Sequence, residues 1–170
     1  MGVLIYPCKI KEKVSGLVSN EEIDALYEKY DAFKEEIVVL EHTNEYYNFV
    51  SPFEDGVYTC DRGHTDVYMG YGTYGDFLQG LENLSEEEDI DCYHAFSTTI
   101  SASGVDNCIS YKVAEEMLEE FKKWEIQAEK YFLNYDDDYG EFLWNIYKRY
   151  MEVLQECVEL KGIVRYNWYE

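Results

Sequence analysis

Four side chains have types and spacing that could hold a metal ion. Cys60 and His64 are separated by three residues, and Cys92 and His94 by one. Two thiolates with two imidazoles are a ligand set that tetrahedral Zn²⁺ accepts. Neither pair follows the Cys-x₂₋₄-Cys spacing of structural zinc modules, and the Cys92-x-His94 step aims both side chains the same way only on a strand. The ordinary reading is therefore buried cysteines and surface histidines, with no cofactor required. A nucleophilic Cys–His pair built on Cys60 or Cys92 meets a further obstacle, because surrounding negative charge raises a thiol's pKa and withholds the thiolate. The five cysteines, Cys8, Cys60, Cys92, Cys108 and Cys157, are odd in number and without close pairs, which argues against a disulfide framework. The glycine-bearing stretch 70–75 could cradle a phosphate with backbone amides, but it lacks the lysine of a phosphate-binding loop and reads as strand-to-helix punctuation.

Carboxylates are the other chemistry available. Asp and Glu number 36 against 14 Lys and Arg, a net charge of −22. A field of that sign attracts cationic partners and repels nucleic acid and anionic membrane surfaces. Glu115, Glu116, Glu119 and Glu120 recur at steps of three and four, a stripe of like charges that costs about 0.2–0.5 kcal/mol per pair. Asp136, Asp137 and Asp138 continue it, and Glu86, Glu87 and Glu88 open a second run reaching Asp91. Carboxylates about 5–6 Å apart approximate the phosphate charges that a nucleic-acid channel is built to hold. With Tyr139, one of eighteen tyrosines and of a type enriched where proteins meet, these residues form the expected partner surface. Carboxylate pairs for glycoside chemistry are not identifiable, since any pair can be chosen from so many.

These side chains need elements to position them. Apolar residues make up 46% of the chain and aromatics 17%, enough to fold residues 1–170 as one domain rather than leave an acidic tail. The pattern predicts a short edge strand at 3–6 stopped by Pro7, with 9–18 irregular. A helix over 19–36 follows, opened by the capping box of Ser19 and Glu22, then a covered strand at 37–40. Strands at 57–60 and 67–69 read as a hairpin. A helix over 76–84 and a third capping box at Ser85 and Glu88 come next, and 96–109 reads as loop. Over 110–161 the apolar steps Val113, Met117, Phe121, Trp124, Ala128, Tyr131 or Phe132, and Tyr135, and then Leu143, Ile146, Tyr147, Tyr150, Leu154, Cys157 and Val158, predict two antiparallel helices. Ser110 caps the first, Asp138 with Glu141 caps the second, and 135–138 form the corner. Gly162 ends the second helix, and 163–168 read as a final strand. The expected fold is α+β, a small antiparallel sheet against several helices, dominated by this C-terminal helical hairpin. The N-terminus has no basic region followed by an apolar run, Tyr6 stands where a myristoylation motif requires Ser or Thr, and no run of about 18 apolar residues occurs, so a soluble cytoplasmic protein is expected.

The segment Gly70-Tyr71-Gly72-Thr73-Tyr74-Gly75-Asp76-Phe77, with Ala95-Phe96-Ser97 and Gly104-Val105 ahead of a long helix, resembles a group of small phage and prophage proteins. Those carry a Gly-Ser-Tyr segment opening one helix and a Ser-Asp-x-Glu-Gly segment before another. Here Thr73 replaces the serine, and the acidic pair before Gly104 is missing. The resemblance covers about a third of the chain and implies phage origin. Charge and origin together lead to the expected function: an acidic, anti-CRISPR-like inhibitor, more plausibly not an enzyme. By nucleic-acid mimicry it would bind a basic nucleic-acid-handling protein, a host nuclease or CRISPR effector, with no direct nucleic-acid or membrane contact. The alternatives are an immunity protein for a basic toxin, and a small enzyme or ligand-binding module with a Cys/His metal site.

Overall fold

The computed structural model describes residues 1–42, 48–87, 95–103, 108–135 and 137–170, without the side chains of Glu87 and Asp137. It is an α+β fold. Strand β1 (Gly2–Ser15) is followed by α1 (Asn20–Asp31), β2 (Glu36–Leu40), β3 (Gly56–Arg62), β4 (Val67–Gly70), α2 (Tyr71–Glu87) and α3 (Ser97–Ala102). Strand β5 (Cys108–Ser110), α4 (Tyr111–Lys123), α5 (Glu125–Leu133), α6 (Asp137–Leu160) and β6 (Ile163–Tyr169) complete the chain. The strands form one sheet in the order β2-β3-β1-β6-β5, with β4 also on β1, and every pairing is antiparallel.

Strand β1 is central and long, not a short edge strand ending at Pro7. One side of it pairs with β6 over Gly2 to Cys8, while the other pairs first with β4 over Gly2 to Ile5 and then with β3 from Cys8 to Ser15. Pro7 lies at that change of partner. Its carbonyl accepts from Gly63 N at 2.8 Å in the β3–β4 connection, so the N–H that proline lacks faces a gap in the ladder and no bond to β6 is lost. Beyond Cys8 the strand continues through the segment expected to be irregular, with two register shifts that bulge it. For the same reason 57–60 and 67–69 are not a hairpin: β3 and β4 pair in succession with β1 and not with each other.

Several boundaries also move. The stretch 70–75 is no loop, because α2 starts at Tyr71 and includes Gly72 and Gly75. Ser85 caps nothing: it lies inside α2, buried, donating to Leu81 O at 2.9 Å, and its expected partner Glu88 falls outside the described residues. Segment 96–109 contains α3 and β5. The first long helix is two helices, α4 and α5, broken at Trp124 (φ −105°, ψ 12°), so three helices and not two occupy 110–161. Ser110 holds the N-cap backbone position of α4, yet its side chain makes no capping bond. Helix α6 starts at Asp137, which puts Asp138 in its first turn, not at its cap.

The break at Trp124 redirects α5 so that Phe132 stacks on Phe77 of α2, ring centroids 6.0 Å apart. Gly80 makes room for it, since a Cβ there would lie 2.7 Å from the Phe132 ring. Phe77, Phe96, Phe121, Phe132, Tyr147 and Tyr150 form the aromatic centre of the core between the helices and one sheet face. Two of its tyrosines satisfy their hydroxyls inside it: Tyr147 donates to Phe121 O and Tyr150 bonds Tyr166, each at 2.6 Å. Rings at these separations add about 0.5–1.5 kcal/mol per pair beyond area burial.

Both α1 and α6 stop by the same device. Gly162 N bonds Cys157 O and Lys161 N bonds Val158 O; Glu35 N bonds Tyr30 O and Lys34 N bonds Asp31 O. This is the Schellman pattern, with the left-handed residue one position earlier than Gly162. Lys161 (φ 48°) and Lys34 (φ 57°) take that conformation, while Gly162 is required for space: a Cβ there would meet Cys8 O at 1.9 Å. A left-handed lysine costs about 1 kcal/mol. Lys161→Gly should therefore raise stability by about 0.5–1 kcal/mol, seen as a higher urea midpoint at unchanged slope, whereas Gly162→Ala should lower it.

Candidate functional site

The sheet has two buried faces. Along β1, Val3 and Ile5 point into the helical core, while Leu4, Tyr6, Cys8 and Ile10 point to the other side, as strand alternation requires. That second face also carries Val38, Leu40, Tyr58, Cys60, Cys108 and Ile163, with Val50 and Phe53 packed on it. Among these apolar groups runs a polar row crossing the sheet: Glu36 on β2, Cys60 on β3, Cys8 on β1 and Arg165 on β6. Glu36 pairs directly with Cys60. Cys8 is diagonal to Cys60, since their direct partners are Arg62 and Ile10. Beyond Arg165, Cys108 of β5 is its direct partner.

The sulfurs of Cys8 and Cys60 each lie 3.9 Å from Glu36 Oε2, and these three donor atoms all fall within 4.8 Å of one another. Arg165 Nη1 reaches the same carboxylate oxygen at 3.3 Å. Cys8 and Cys60 are fully buried, but the Glu36 side chain is 41% exposed, so the row opens to solvent at its β2 end. Charge at the row is set locally. A hydrogen bond between the thiols, followed by burial, pushes Cys8 up; the same bond, helped by Arg165, draws Cys60 down. Burial works against the Arg165 charge, yet Tyr6, Cys60, Glu36 and Cys8 outweigh it and hold the guanidinium above its usual pKa.

This constellation is not the predicted Cys60–His64 pair. Cys60 faces the second side of the sheet, whereas exposed His64 follows β3 and gives its backbone N–H to both carboxylate oxygens of Glu156 on α6 at 2.9 Å. Cys92 and His94 lie outside the described residues. Sequence reasoning missed Cys8, Glu36 and Arg165. The available signal was Arg165 between Val164 and Tyr166, the one charged residue in a largely apolar strand.

The expected partner residues divide. Glu115, Glu116 and Glu119 are exposed on α4, but Lys112, Lys122 and Lys123 share that helix. Glu120 is turned inward, where its carboxylate accepts from the backbone N–H of Thr98 (3.0 Å) and Thr99 (2.9 Å) and from the Thr99 hydroxyl (2.9 Å). It thereby fixes the start of α3. Glu86 and Asp138 are exposed, and Tyr139 donates to Asp76 Oδ2 at 2.5 Å, tying α6 to α2. Glu88 and Asp136 lie outside the described residues, as do the side chains of Glu87 and Asp137. The described helix with the most carboxylates per residue is one not singled out: α1 holds Glu21, Glu22, Asp24, Glu28 and Asp31 against Lys29 alone, and buries none of its residues.

No protein-family model matches the chain, and no curated protein or solved structure is significantly similar to it.

Burial raises the Glu120 pKa, with the bonds from Thr98, Thr99 and Ser97 opposing it. A raised carboxyl binds its proton more tightly in the folded state, so its contribution to stability is present at acid pH and lost as pH rises through the folded pKa. Glu120→Ala should cost about 1–3 kcal/mol at neutral pH by orphaning two amides. Relative to the native chain, Glu120→Gln should become less destabilising as pH rises from 4.5 to neutrality, measured as melting temperature against pH.

Proposed function

We propose that this chain is a non-enzymatic, phage-encoded inhibitor acting in a bacterial cytoplasm, where it occupies the nucleic-acid-binding face of a basic protein such as a host nuclease or CRISPR effector. The observation that carries the reading is α1. A helix closed by a complete capping box, yet burying none of its residues, contributes little to the core and much to the surface. Five carboxylates and one lysine over twelve residues give it a one-signed field, and Tyr27 and Phe33, 43% and 71% exposed, lie beside that charge as apolar anchors. Carboxylates would take up the Lys and Arg groups that otherwise hold phosphates, with the aromatic rings supplying contact area. Glu115, Glu116 and Glu119 form a second acidic face, partly balanced by the lysines of their own helix. Glu120 is excluded from contact by its internal bonds. No helix among the described residues is long and apolar enough to cross a membrane, and the net charge disfavours an anionic surface.

The test is capture from a bacterial lysate at graded salt, followed by competition between the chain and labelled DNA for the captured protein. The expected result is one basic nucleic-acid-binding protein, released as salt rises and losing its DNA to the chain. Glu21→Lys with Asp24→Lys and Glu28→Lys should slow association by about ten-fold or more, and Glu115→Lys with Glu116→Lys and Glu119→Lys by less. Capture that neither triple substitution alters, or a captured protein that keeps its DNA, would overturn the proposal.

A further inference from the structure

We propose that Cys8, Glu36 and Cys60 form a binding site for a thiophilic divalent cation, Zn²⁺ foremost, with a fourth coordination position open to solvent beside Glu36. The site is independent of the partner-binding reading above. Its three donors come from three adjacent strands, so the sheet itself sets their geometry. Zinc binds thiolate at about 2.3 Å and carboxylate oxygen at about 2.0–2.2 Å, so the sulfur–oxygen edge of its tetrahedron is about 3.5 Å. The two sulfur–oxygen edges are both 3.9 Å, within a few tenths of an ångström of that length, and the sulfur–sulfur edge is no longer than 4.8 Å, against about 3.8 Å around zinc.

Donor chemistry narrows the ion. Two thiolates select Zn²⁺ over Mg²⁺ and Ca²⁺, which take oxygen donors and more of them. Charge balance agrees, since two thiolates and a carboxylate carry three negative charges, which a divalent ion and the Arg165 guanidinium together neutralise. Arg165, hydrogen-bonded to the ligating oxygen, plays the orienting part usual for a group behind a metal ligand. Binding displaces the thiol protons into solvent. The partial exposure of Glu36 provides both the entry path and space for a water as fourth ligand. An ion here would tie edge strand β2, against which α1 packs, to the central strand.

The experiment uses the full chain, reduced with a phosphine, titrated with Zn²⁺ against a chromophoric chelator and separately with Co²⁺. The expected result is one equivalent bound, with a sulfur-to-cobalt charge-transfer band. Cys60→Ser should weaken Zn²⁺ binding by about 100-fold or more and remove most of that band. Glu36→Gln, which keeps an oxygen for Arg165 but removes the ligand's charge, should weaken it about ten-fold, with circular dichroism checking that the variant is folded. Cys108→Ser, nearby but outside the donor set, should bind as the native chain does. No uptake by the reduced chain, a cobalt spectrum without sulfur charge transfer, or uptake that survives Glu36→Gln and Cys60→Ser and disappears with Cys92→Ser would each overturn the assignment.

Discussion

The structure depends on the pairing of β1. This 14-residue strand bonds β6 along one side and β4 then β3 along the other, so removing it would deprive three strands of a partner. Its position requires backbone ladders on both sides and apolar burial on both faces, which Val3 and Ile5 and, in alternation, Tyr6 and Cys8 supply. Pro7 is tolerated in this central strand only because its missing N–H coincides with the change of partner from β4 to β3. The same junction brings the end of α6 against β1, where Gly162 allows the close approach to Cys8 O.

The two faces of the sheet are packed by different means. Toward the helices, a continuous aromatic cluster fills the space, and its hydroxyls bond internally. On the other face the apolar cover is smaller and carries a polar row. A guanidinium that is largely buried needs anionic company, because an unpaired buried charge costs several kcal/mol. Glu36 and the Cys8–Cys60 pair provide that company for Arg165. The accommodation of one arginine thus gathers a carboxylate and two thiols on this face, a cluster with cation-binding chemistry.

Net charge works at a different level. Carboxylates occur on every described helix but α3 and on β1, β2 and β3, yet their environments differ. Glu120 and Glu156 are tied to backbone amides that they anchor, Glu36 and Asp66 pair with arginines, and those of α1 project from a helix that contributes no buried residue. Carboxylates of the last kind, like exposed Glu115, Glu116 and Glu119 on α4, keep their field available to another molecule. Counting acids along the chain cannot separate these groups, whereas burial and hydrogen bonding do.

The sequence by itself determined the α+β class, the apolar faces of 110–161, the Ser19–Glu22 capping box and the charge, because these follow from local periodicity, near-neighbour bonds and composition. Only the tertiary structure decided what depends on contacts distant in sequence. Pro7 reads as a stop until β4 and β3 are seen to share one side of β1. Segment 9–15 reads as irregular until β3 pairs with it. Glu120 looks like a solvated acid until α3 presents its amides 21 residues away. Cys8, Glu36, Cys60 and Arg165 have no mutual spacing that a motif could express, since they converge from four strands through the ladder geometry of the sheet alone.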